Sequence, residues 1–199
     1  KNIKTKYLVF GVSFVISYIT IFISNKMVRR ALKDIFDKEQ KEMPKLLNKS
    51  ISFVVGVIVA FVAQITLTQK FLMFTNVAQF GVADPVFGLD ISFFMFQLPF
   101  IKAVVIFLIA FLSLLTVYVS VYYILTINIC LEGVDANDLK KNKFLKQLFT
   151  NFFIIACLIA GLMVLSSQEI VTGNLITLKD EAKTELVGAG VTEVKIKVI

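Results

Sequence analysis

The chain has 199 residues, 57% of them hydrophobic, with 20 Phe, no Trp, no His and a net charge of +7. A mean hydropathy of +0.83 excludes an ordinary water-soluble domain, which would leave large apolar patches facing water. The absence of His excludes histidine metal sites, His-based triads and His proton relays. The basic residues cluster at the edges of apolar segments instead of forming a stripe on a polar surface, so no nucleic-acid partner is expected.

Four stretches carry no charged side chain: Tyr7 to Asn25, Ser50 to Gln69, Ala103 to Leu131 and Gln147 to Gln168. Each approaches or exceeds the roughly 20 residues that a helix needs to cross a ~30 Å hydrocarbon layer, and each is flanked by charge. The expected fold is all-α: a polytopic helical membrane protein with four transmembrane helices, spanning about 7–25, 50–69, 100–129 and 148–168, and an amphipathic interfacial segment. Residues 1–168 then form one membrane domain, and 169–199 an extracytoplasmic tail that begins a missing region.

The first segment has no small-residue cleavage site and is not a signal peptide. Val28, Ala31, Leu32, Ile35 and Phe36 continue its three-to-four spacing among charges, which predicts two or three further helical turns. Pro44 then interrupts, and Asn48 or Ser50 can cap the next helix. The cations of this connection, from Lys26, Arg29 and Arg30 to Lys45 and Lys49, set topology; a second use is binding anionic lipid headgroups. Together with Lys140, Lys141, Lys143 and Lys146 they place 26–49 and 132–147 in the cytoplasm and both ends of the chain outside, in a bacterial cytoplasmic membrane.

In the second segment Gly56 and Ala60 form a small-residue face for close helix packing, as do Ala156, Ala160 and Gly161 in the fourth. Gln64 is the most conspicuous polar residue inside a span, readable as an interhelical hydrogen bond or as a pathway ligand. Hydroxyls such as Ser17, Thr116 and Ser120 can bond back to their own helix. Cys130 and Cys157 read as reduced, buried thiols. No nucleophile, base, metal or cofactor constellation is visible, and the chain is read as non-enzymatic.

The connection between the second and third segments is aromatic and rich in turn residues. Phe71, Leu72, Phe74, Val77 and Phe80 fit the interfacial amphipathic segment. From Gly81 to Asp90, Pro, Gly and Asp enforce turns and can cap a helix beginning near Ile91. Pro99 either kinks that helix or separates an interfacial turn from the true span. The third segment's charge-free run of 29 residues would measure about 43 Å, so it must tilt or protrude. In the tail, Thr177 and Asp180 suggest a helix start, and Val194, Ile196 and Val198 alternate as in a strand that lacks partners.

The run FGVADPVFGLDISFFMFQLPF from Phe80 to Phe100 closely resembles the signature of the UPF0182 family of uncharacterised bacterial membrane proteins. The stretch Gly188-Ala189-Gly190-Val191-Thr192-Glu193-Val194 is similar to a second segment of that family, with Val191 replacing an aromatic and Glu193 an Asp. Family members are larger, with further spans and a big extracytoplasmic domain, so the resemblance implies an interior piece of the membrane half or a divergent short relative. That the chain starts on Lys and ends on an apolar run agrees with a piece of something longer.

The motif residues are Asp84, Pro85, Phe87, Gly88, Asp90, Phe93, Phe96 and Pro99. Asp84, Gly88 and Asp90 can line an outer ligand or cation site; the favoured reading is that they shape the turn and cap the third helix. The expected function is a membrane module of the cell envelope that anchors or scaffolds extracytoplasmic structure. Its partners are the lipid bilayer and other membrane helices or subunits. The alternative is part of a transporter or channel for a lipid or apolar solute.

Overall fold

A computed structural model describes residues 2–38, 40–42, 48–83, 87–130 and 143–168. They form four long helices, α1 (Asn2–Lys38), α2 (Asn48–Thr75), α3 (Leu98–Cys130) and α4 (Lys143–Gln168), with a single π-helical turn, Phe93–Gln97, leading into α3. All four are long and apolar enough to cross a membrane. Among the described residues there is no strand; an isolated antiparallel bridge joins Ala83 to Asp90. The tail 169–199, with its expected helix start and strand, lies outside the described residues, as do Pro44 and the connection 131–142.

The chain divides into two units, Lys1–Ile65 with Leu108–Cys157, and Thr66–Phe107 with Leu158–Ile199. In the first, α1 runs well beyond its charge-free stretch. Val28, Ala31, Leu32, Ile35 and Phe36 are all buried, joining a core with Leu115, Val119, Tyr123 and Ile127 of α3 and Phe144 of α4. Burying each large apolar side chain stabilises by about 1.5–3 kcal/mol, which is why the helix persists among charged neighbours. Tyr123 stacks on Phe144 with ring centroids 3.9 Å apart.

The end of α1 is a left-handed cap. Gln40 has φ 53°, and the Lys41 N–H donates to the Phe36 carbonyl at 3.1 Å, the six-residue closure of a Schellman motif, in which glycine is the usual occupant. Nearer the N-terminus of α1, Phe10, Phe14, Tyr18 and Phe22 stack successively at i, i+4 spacing. Gly56 of α2 packs on this ladder, and a Cβ added there would lie 3.5 Å from Phe14 and from the Tyr18 backbone. Ala60 and Ala63 are fully buried. The same small-residue pattern on α4 is open: Ala156, Ala160 and Gly161 are exposed, and nothing lies within 4 Å of a Cβ built on Gly161. Cys157 is likewise exposed and Cys130 only partly buried, so the expectation of buried thiols does not hold.

In the second unit α2 continues to Thr75, past the charge-free run that ends at Gln69. Lys70 is exposed, with a stem long enough to hold its charge away from the apolar side. Phe71 and Phe74, placed by their pattern in an interfacial segment, sit in the last turns of α2 and contact Phe100 with ring centroids 5.4 and 5.0 Å away. Pro99 falls in the first turn of α3, directly after the π turn. A proline nitrogen cannot donate, and the wider turn, closed by the Leu98 N–H on the Phe93 carbonyl, lets the helix carry on through it. Phe93–Cys130 is thus one uninterrupted helix of 38 residues, about 57 Å long.

Candidate functional site

The connection between α2 and α3 is organised by one carboxylate. Asp90 Oδ2 accepts the Gly81 N–H at 2.9 Å, and Oδ1 accepts those of Ser92 at 2.8 Å and Phe80 at 3.3 Å. The bond from Ser92, two residues on, is the geometry of a helix N-cap. Phe93 N–H closes on the Asp90 carbonyl at 2.9 Å and Ile91 N–H on that of Val82 at 3.0 Å. Asp90 therefore does two jobs: it starts the helix that becomes α3 and ties down the chain at Phe80 and Gly81. Hydrogen bonds from Ser92, its hydroxyl first and then its N–H, hold the carboxyl below its ordinary range against desolvation, which opposes them, and those of Phe80 and Gly81 add to the lowering.

The glycines of the motif supply the backbone that this closure needs. Gly81 and Gly88 have φ of 71° and 66°, a left-handed conformation that costs other residues energy. Phe80 packs edge-on against Phe96 at 6.0 Å, and Phe87 against Phe94 at 5.9 Å. Phe93 meets Phe94 edge-on at 5.4 Å. Phe94 and Leu98 are the buried hydrophobic residues here, at 2% and 0% exposure, and neither belongs to the motif residues named above. Their i, i+4 spacing was a readable signal. Phe80, Val82 and Leu89 remain exposed on the connection's surface. Asp84 and Pro85 lie outside the described residues.

The Asp90 oxygens face N–H groups of their own chain, which is a cap's environment. Among the described residues no group of three or more His, Cys, Asp or Glu could hold a metal ion. A shallow cavity of about 490 Å³ lined by Gln69, Leu72, Met73, Asn76 and Phe96 borders the connection, but it holds no titratable group.

The polar residues of the first unit form a seam between helices. Asn151 Nδ2 donates to Thr116 Oγ1 at 3.1 Å, joining α4 to α3, and Gln147 Nε2 makes a long bond of 3.4 Å to the Ser24 carbonyl, joining α4 to α1. Asn25 is fully buried beside the Tyr118 phenol, with neither amide atom in hydrogen-bond geometry. Gln64, expected as the notable intramembrane polar residue, is only half-buried and has an interaction partner. Asn25 and Gln147 each sit at the boundary of a charge-free stretch, where polar residues normally face headgroups, so sequence alone does not mark them as buried. Thr116 and Ser120 hydroxyls donate to carbonyls one turn back, at 2.7 Å each.

An all-α chain with four membrane-competent helices, joined through a carboxylate-pinned aromatic connection, is the class that this architecture defines. The whole chain, residues 1–199, matches the Uncharacterised protein family (UPF0182), and it belongs to that family. It is 30% identical over 124 residues to a UPF0182 protein of Caldicellulosiruptor saccharolyticus, covering 62% of this chain and 14% of that protein. It is 30% identical over 119 residues to one of Clostridium novyi, covering 55% and 13%. A third, from Clostridium acetobutylicum, is 28% identical over 144 residues, covering 68% and 16%. The matched region is thus a small part of each relative's length. No solved structure matches.

Proposed function

We propose that this chain is a non-enzymatic integral membrane module of the bacterial cell envelope, which anchors or scaffolds extracytoplasmic structure or partner subunits. The observation that carries this reading is the α2–α3 connection. A single carboxylate, two left-handed glycines and paired aromatic rings tie its described residues to one another, while Phe80, Val82 and Leu89 stay exposed on it. A preordered surface with apolar side chains suits a persistent partner, because little conformational entropy is lost when it is covered. In this reading the four helices span the cytoplasmic membrane; 26–49 and 132–147 are cytoplasmic, and the pinned connection and both ends of the chain are extracytoplasmic, as the distribution of Lys and Arg favours.

Native mass spectrometry of the protein, extracted gently from its own membranes, tests the proposal. Stoichiometric partner chains whose retention falls on Phe80→Ser or Leu89→Ser substitution support anchoring. A protein without partners that retains a small solute, and moves it in reconstituted vesicles, replaces anchoring by transport. Orientation is read separately, from membrane-impermeant labelling of single cysteines placed at Gln40 and Gln79.

A further inference from the structure

One line of exposed residues on α1 changes character along its length. Ile19, Ile23, Lys26, Arg30 and Lys33 follow one another at three- and four-residue steps, so they lie on a single face of the helix. Ile19 and Ile23 are 48% and 50% exposed, and the three cations are exposed as well. The opposite face, Val28, Ala31, Leu32, Ile35 and Phe36, is locked in the core. The stripe therefore cannot turn inward, and its apolar half runs without a break into its cationic half.

We infer that this face binds an anionic phospholipid: acyl chains lie along Ile19 and Ile23, and the phosphodiester sits between Lys26 and Arg30. Those two residues are four apart, about 6 Å along the axis, close enough for both to reach one phosphate. The planar guanidinium can grip two phosphate oxygens while the ammonium adds a point charge. Lys33 adds attraction about 10 Å from Lys26, near the limit set by salt screening. The neighbouring acids do not cancel this arrangement. Asp34 accepts from Lys143 of α4 at 2.8 Å, and Asp37, on the same face, adjoins Lys33 at the far end of the stripe. The apolar half selects the occupant: a soluble phosphate or an acidic peptide would leave Ile19 and Ile23 unused, whereas a membrane lipid covers both halves. The inference needs α1 to span a membrane but not its orientation, and membrane-impermeant labelling of single cysteines placed at its two ends in sealed vesicles reports on the span separately.

The test uses the full chain in nanodiscs of phosphatidylcholine with a fraction of phosphatidylglycerol, released into native mass spectrometry so that retained lipids are counted. Removing each cation is expected to lower phosphatidylglycerol retention roughly fivefold. The double variant K26Q/R30Q then loses most of it while retained phosphatidylcholine is unchanged. K70Q, which deletes one exposed cation from α2, retains lipid as the parent does. R30K keeps the charge without the fork and falls between parent and R30Q; because it preserves charge and shape, it also guards against a folding failure in the double variant. Equal retention in parent and K26Q/R30Q overturns the inference, as does parallel loss of both lipids. Displacement of phosphatidylglycerol by inorganic phosphate at equal concentration, tested before release, overturns the lipid as occupant.

Discussion

Two regions beyond the charge-free stretches are ordered by different forces. The Val28–Lys38 part of α1 is held by apolar volume, with five side chains buried against α3 and α4. The described parts of the connection, Phe80–Ala83 and Phe87–Ser92, are tied by directed hydrogen bonds on one carboxylate. Dispersion and hydrophobic contact are non-directional and insensitive to pH, so the first region should respond to changes of volume. The second should respond to the loss of one atom group or one charge.

The largest effect is expected from Phe36→Ala, which empties a fully buried site. A loss of about 3–5 kcal/mol is expected, measured by denaturant or thermal unfolding in detergent. A shift no larger than that of an exposed substitution would mean that the α1 extension is not held by packing. Gly56→Leu follows. Its first methyl position is already at contact distance from Phe14 and Tyr18, so the longer side chain costs about 1–3 kcal/mol, while Gly56→Ala is tolerated. Gly161→Leu, built into open space, stays within about 0.5 kcal/mol. Equal responses at Gly56 and Gly161 would break the volume rule.

At the α1 cap, Gln40→Gly relieves a left-handed non-glycine residue. It should stabilise by up to about 1 kcal/mol, visible as a small rise in melting temperature. In the second region, Asp90→Ala removes the acceptor for three N–H groups. Amide exchange at Gly81 and Ser92 should quicken on the order of fivefold, with the Val28–Lys38 amides unchanged. The smallest effect is pH. The Asp90 carboxyl is lowered in the folded chain, so its contribution is complete above the ordinary carboxylate value of about 3.9. It is lost as pH falls through the lower folded value. Protection at Gly81 and Ser92 should decline only in that acidic window, and Asp90→Asn should abolish the pH dependence.

The apolar spans were legible because hydrocarbon-length runs without charge have few other physical solutions. The continuation of α1 was legible too, since the period of Val28, Ala31, Leu32, Ile35 and Phe36 survives among charges. Asp90 as the cap of a helix starting near Ile91 could be read from local spacing, because an N-cap bonds within its own turn. Its hold on Phe80 and Gly81, nine and ten residues back, could not. The i, i+4 spacing of Phe94 and Leu98 is legible, but the π turn and Pro99 obscure which face of this segment packs.

The sequence by itself determined the four helices, their apolar character, the long α1 and the turn-forming connection, all of which follow from local preference and the cost of exposing backbone to hydrocarbon. Only the tertiary structure decided which equivalent patterns are used. Gly56 meets an aromatic ladder while Gly161 meets nothing, and Asn25 and Gln147 are buried where Gln64 is half-exposed. Periodicity states that a face exists. What covers that face depends on residues brought together from distant parts of the chain, and no local pattern encodes that pairing.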